Sequence, residues 1–171
     1  MNQEIRNKLR NVVTQCRKLL EEAFAQRMEG RFTIFLKGKS LIADRAASVT
    51  HLSNEEQSVR LAVLEHFELL HSQGISKVDA YRQLVREVAF TWLNHLVAFK
   101  MLESRKLIRE TMSRWEDSNG FKHWLAGDGR EADLADYERG GEPRGAAYHR
   151  FLLARCGELA GEIRVLFDPD N

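Results

Sequence analysis

The chain has 171 residues, 43% hydrophobic and 30% charged, with a formal net charge of +1. That suits a soluble single domain with a proper core, and it excludes a global field that would draw in nucleic acid. No run of about 18 apolar residues occurs, so no membrane span or membrane partner is expected. The polar start M-N-Q-E-I-R-N-K-L-R is not a signal peptide.

Charge is uneven along the chain. Residues 1–45 hold ten Lys/Arg against five acids, while residues 116–142 hold eight acids against three bases. A basic N-terminal arm and an acidic loop result. Cys16 and Cys156 are far apart and form no C-x-x-C pair, which points to a reduced, cytoplasmic protein. With only two prolines the fold class is all-α: a helical bundle on a long central helix, as one domain over residues 1–171.

A first helix is predicted from about Asn2 to Met28. Ile5, Leu9, Val12, Cys16, Leu19 and Ala23 recur at alternating spacings of four and three. This is a helix laying a broad face on a core, or a coiled-coil seam. Gly30 is a plausible stop. Arg31 to Leu36 has strand character but no obvious partner strand, so it reads as extended or irregular. A short helix is predicted near Leu41–Ala47.

Ser53-Asn-Glu-Glu56 is a capping box. The helix it opens turns Val59, Ala62, Val63, Phe67 and Leu70 inward and ends at Gly74. A short connection makes the next helix its antiparallel neighbour. That central helix runs from about 76 to 105, roughly 45 Å at 1.5 Å per residue. Its middle, Ala89 to Glu103, is dense in apolar residues (Trp92, Leu93, Leu96, Val97, Phe99, Met101, Leu102), too dense for a helix with one wet side. Trp92, Leu96 and Phe99 are read as core, and Trp92→Ala should cost roughly 3–5 kcal/mol. Residues 110–142 read as an irregular loop region punctuated by Trp115, Phe121 and Trp124. Pro143 suits the first turn of a last helix, with Tyr148, Leu152, Leu159, Ile163 and Leu166 inward.

Few residue sets suggest chemistry. Gly38-Lys39-Ser40 copies the end of a phosphate-binding loop, but Thr33 stands where that loop needs its first glycine. It reads as a plain basic turn. His66 and His71 point about 140° apart on one helix and cannot share an ion as i,i+4 ligands would. His95, beside Trp92, reads as a structural or hydrogen-bonded residue, His123 and His149 form no metal set, and the cysteines read as core filler. Glu103 follows the apolar run and is expected to pair with Arg82, Arg86 or Arg105. No catalytic, cofactor or metal residue emerges. The cations placed to touch phosphate are Lys37 and Lys39 in one loop, with Arg105, Lys106 and Arg109 at the end of the central helix. Cations at a helix C-terminus also answer its dipole.

The segment A-F-T-W-L-N-H-L-V-A-F-K-M-L-E (89–103) resembles Y-x-W-F-N-R-L-V-A-L-R-F-M-E of the PglX-like adenine-specific DNA methyltransferases. These belong to bacterial phage-exclusion (BREX) systems and have large restriction-modification relatives. The matching residues are Trp92, Asn94, Leu96, Val97, Ala98 and Glu103, followed by Leu166-Phe-Asp-Pro169. The chain departs from the pattern at Leu93, where Phe is usual, and at His95, where Arg is. The first 50 residues carry little of the likeness. The family's chemistry uses an F-x-G-x-G loop for S-adenosylmethionine and an N-P-P-Y loop for the flipped adenine. Neither is present, and with Pro only at 143 and 169 an N-P-P-Y loop is impossible. The resemblance therefore implies a non-catalytic N-terminal helical part of a longer enzyme. S-adenosylmethionine is implied for the parent alone. The implied partners are the parent's methyltransferase domain, DNA and other phage-defence proteins. The rival reading is a free-standing helical interaction or regulatory protein with no enzymatic activity.

Overall fold

The structure is a computed structural model that describes residues 2–43 and 49–166, with side chains as far as 159. It is all-α as expected: among the described residues it has six α-helices and one two-stranded hairpin. The contacts fall into two compact units, Met1–Asn94 and His95–Asn171.

The first unit opens with α1 (Gln3–Gly30), capped by the Asn2 side chain, which accepts from the Glu4 amide. Strand β1 (Phe35–Lys37) then pairs antiparallel with β2 (Ser40–Ile42), in register Phe35↔Ile42, Leu36↔Leu41 and Lys37↔Ser40. Of the stretch with strand character, Phe35 and Leu36 find a partner the sequence does not advertise, because β2 is only three residues long, while residues 31–34 are turn and irregular backbone. Leu41 and Ile42 are strand rather than helix, and the rest of the helix expected there lies largely outside the described residues.

Helix α2 (Asn54–Ser72) carries the predicted capping box, with Ser53 and Glu56 bonding reciprocally. Glu56 also takes a bidentate grip from Arg31, at 2.8 and 2.7 Å, tying the end of α1 to the start of α2. This holds the Glu56 carboxyl down at about 2. Helix α2 ends in a Schellman motif: the Gly74 amide reaches His71 O and the Ile75 amide reaches Leu70 O. Gly74 is left-handed at φ +89°. Ser76 caps α3 (Lys77–Ser104) through the Asp79 amide.

The first unit's core is Ile34, Leu64, Phe67, Ala80, Tyr81 and Val85, with Phe24, Met28, Phe32, Leu36 and Leu41 packed against it. Of the face of α2 expected to turn inward, Phe67 is buried and Val63 and Leu70 pack against the core. Val59 and Ala62 are exposed, while Arg60 and Leu64 are buried. Arg60 is tolerated there because its Nε donates to the Phe32 carbonyl at 2.8 Å. The apolar stripe of α1 departs further. Ile5, Leu9, Val12 and Leu19 are exposed, and no residue of α1 is buried. Only Phe24 and Met28, on a different side of the helix, join the core.

Helix α3 is the long helix expected, and residues of both units lie on it. It is not buried all round. Tyr81, Val85, Ala89, Leu93 and Phe99 are buried, but Phe90, Val97 and Met101 are exposed, and Trp92 and Leu96 are half-buried. Only one stripe of the helix meets neighbours, so apolar density overstated its burial.

In the second unit the stretch read as irregular is largely helical. A 3-10 turn (Trp115–Asp117) leads into α4 (Asn119–Leu125) and α5 (Glu131–Arg139), ahead of α6 (Gly141–Leu166). Phe121 is the hub of an aromatic core, with ring centroids 5.4 Å from both Tyr148 and Phe151. Helix α5 is clamped to α6 by Arg150, which reaches Asp133 and Asp136 at 2.6 Å each. Tyr148 and Leu152 are inward as predicted and Leu159 is half-buried. The side chains of Ile163 and Leu166 lie outside the described residues.

Candidate nucleic-acid interface

Helix α3 ends in a second Schellman motif. The Lys106 amide reaches Glu103 O and the Leu107 amide reaches Leu102 O, both at 2.9 Å. The left-handed position that Gly74 fills after α2 is taken here by Lys106, at φ +59°. The chain then folds back over the helix end, and Glu103 holds it there. Its Oε2 accepts from the amides of Thr111, Met112 and Ser113 at 2.9, 2.7 and 3.1 Å. Its Oε1 accepts from Lys100 Nζ at 2.8 Å and from the Ser113 hydroxyl. Burial opposes the Glu103 charge, but Lys100, Ser113 and the amides outweigh it and hold the carboxyl well below the usual range. The pairing expected with Arg82, Arg86 or Arg105 is replaced by this loop clasp. Backbone amides satisfy a carboxylate as a guanidinium does, and Lys100 on the same helix supplies the cation.

Two further contacts fix the same loop. The Tyr148 hydroxyl donates to the Thr111 carbonyl at 2.8 Å, and the Gly120 amide donates to the Glu110 carbonyl at 2.7 Å. Burial, with Glu103 and Glu116 nearby, pushes the Tyr148 phenol up to about 12, so it stays a donor.

The pinned loop places Arg109 on a cleft of about 350 Å³ that is also lined by His123, Trp124, Phe151 and Arg155. Two guanidinium groups and an imidazole thus share a concavity with two aromatic rings. Arg155 also pairs with Glu158. Arg130 lies 4.1 Å from the Trp124 ring centroid, a cation–π contact that orients the indole.

Of the five cations expected to contact phosphate, the structure brings Arg105, Lys106 and Arg109 together on the α3 end and its loop. Lys37 and Lys39 sit on the β-hairpin of the first unit. Gly38-Lys39 is its two-residue turn, with Gly38 at φ +62°, and not a phosphate loop. All five are exposed, and none forms a salt bridge among the described residues. Sequence reading missed His123, Trp124 and Arg155 as companions of Arg109. The aromatic punctuation around Phe121 and Trp124 was the only signal, and it carried no information about which loop would face it.

Among the described residues no group of three His, Cys, Asp or Glu could hold a metal ion, and no helix is long and apolar enough to cross a membrane. Cys16 and Cys156 are free thiols. No protein-family model, curated protein or solved structure matches the chain.

Proposed function

We propose that this chain is the N-terminal, non-catalytic helical module of an S-adenosylmethionine-dependent adenine-specific DNA methyltransferase of the PglX-like, phage-defence kind. In that role it supports DNA binding, or docking of the parent's other domains, and does no chemistry itself. The Ala89–Glu103 segment and the Leu166-Phe-Asp-Pro169 ending support the family reading. The observation that carries the DNA role is the Arg109 cleft. Arg109, exposed and in no salt bridge among the described residues, lines a concavity with Arg155, His123 and the half-buried Trp124, a combination that suits a phosphate beside an aromatic ring.

Phosphate contact predicts salt-dependent, sequence-independent affinity, because each neutralised phosphate releases counterion. Fluorescence anisotropy of labelled duplex and single-stranded oligonucleotides over a salt series is the test. Binding should weaken steadily with salt, and R109A/R155A should weaken it and flatten the salt slope. Affinity that ignores salt, or that survives R109A/R155A unchanged, removes this reading. Methyl transfer to DNA by residues 1–171 alone would refute the non-catalytic role. A free-standing interaction protein is the second reading, favoured by the uncovered apolar stripe of α1.

A further inference from the structure

The N-terminal half of α1 has no tertiary support among the described residues. Every residue from Asn2 to Gln15 is exposed, including Ile5, Leu9, Val12 and Val13. Isolated helices of this length are marginal in water, and most helix stability comes from packing an amphipathic face. The face here is ordered. Ile5, Leu9, Val12, Cys16, Leu19 and Ala23 follow the four-three alternation of a coiled-coil seam. They lie on a different side of the helix from Phe24 and Met28, which serve the unit's own core.

We propose that this stripe binds a second copy of the chain, forming an antiparallel two-helix coiled coil about a two-fold axis level with Thr14. Three features select this occupant and orientation. First, the stripe is self-complementary when reversed. Ile5 meets the partner's Ala23, Leu9 meets the partner's Leu19, and Val12 meets the partner's Cys16. Large faces small at the ends, and each layer occurs twice, as an isologous interface requires. Second, the flanking positions agree in charge. Reversal sets Lys8 beside the partner's Glu22, twice over, with Gln15 meeting the partner's Gln15 at the axis. A parallel pair would set Lys8 beside Val13 and crowd Arg6, Lys8 and Arg10 of both copies at one end. Third, the register stops at Ala23, just before the residues already committed to the core. The intrahelical Lys8–Glu4 and Lys18–Glu22 pairs are exposed and weak, so they do not compete strongly with the intermolecular ones.

The test uses the full chain. Sedimentation equilibrium should show a monomer–dimer equilibrium that L9E/V12E abolishes while circular dichroism still reports a folded chain. K8E and E22K should each weaken self-association by about tenfold, since each places like charges together twice. Mixed together, the K8E and E22K chains should pair with one another and restore the dimer. Cross-linking fixes the orientation. In a C156S background, a V12C/C16S chain mixed with a chain retaining Cys16 should oxidise to a covalent heterodimer. Cys16 should not cross-link to its own copy, from which it is offset by about a helical turn. A chain that stays monomeric at high concentration overturns the proposal, as does a dimer joined readily through Cys16 to Cys16.

Discussion

The carboxylate of Glu103 holds Ser113 twice, through its backbone amide at 3.1 Å and through its hydroxyl. The same oxygen that takes the Ser113 amide also takes those of Thr111 and Met112, so one side chain organises the whole return of the loop onto α3. Its side chain is only 10% exposed. Glu103→Ala would leave these donors without a partner, and unsatisfied donors cost about 1–3 kcal/mol. A loss of about 2–3 kcal/mol in chemical unfolding is the expected outcome.

Acid should expose the same dependence. Glu103 and Glu56 both lie below the ordinary carboxylate value of 4.5, Glu56 at about 2. A depressed folded-state value means the unfolded chain takes up protons first as pH falls. The stabilisation is therefore complete above about 4.5 and drains away toward 2. Thermal midpoints measured across that window should fall steeply for the native sequence. They should fall less steeply for E56Q and for E103Q, and an equal slope in all three would contradict the assignment.

Gly120 is where α4 meets the preceding loop most closely. A Cβ there would lie 2.5 Å from the Glu110 carbonyl oxygen, the acceptor of the Gly120 amide itself. Alanine is the better helix former by about 1 kcal/mol, yet the clash is with backbone, which cannot swing aside. G120A should therefore destabilise by about 1–3 kcal/mol, as overpacking does, and the sign of the change in unfolding midpoint decides the matter.

Phe99 and Trp92 should separate under the same substitution. Phe99 is 1% exposed while Trp92 is half-buried. Phe99→Ala should cost about 3–5 kcal/mol, the range for a buried aromatic. Trp92→Ala should cost clearly less than the sequence alone suggests. Equal losses in parallel urea titrations would show the burial difference to be irrelevant.

Lys106 offers a substitution whose two effects point in opposite directions. Its left-handed backbone suits glycine, and Gly74 already fills the equivalent place after α2. Lys106→Gly should stabilise by about 0.5–1 kcal/mol, relieving a conformation that costs a side chain about 1–2 kcal/mol. If Lys106 contacts phosphate, the same change lowers oligonucleotide affinity and shortens the salt slope by about one. Thermal unfolding and anisotropy on one variant read both effects.

The legible parts of the fold were those written in local sequence. The spans of α1 and α3 came from long periodic patterns, and the Ser53–Glu56 box from a four-residue signature. Helices α4 and α5 have seven and nine residues, too few turns for a period to show. The burial of Arg60 on α2 rests on its reach to the Phe32 carbonyl, a tertiary fact. The cleft was least legible. Arg109 could be nominated as a free cation, but its neighbours His123 and Arg155 reach it only through the folding of α4 and α6. Glu103 was recognised as a carboxylate in need of a partner. Beside Lys100 and the Ser113 hydroxyl, its partners are three backbone amides, which every sequence has and none displays.

The Glu103 clasp also governs how the chain meets a protease. Arg105, Lys106 and Arg109 are exposed and closely spaced, the composition at which trypsin would be expected to cut first. Cleavage requires the backbone to leave its folded path, and here that path is tied at three successive amides, at the Thr111 carbonyl and at the Glu110 carbonyl. The most basic loop of the second unit is thereby shielded by hydrogen bonding rather than by burial, and one carboxylate supplies three of its five ties.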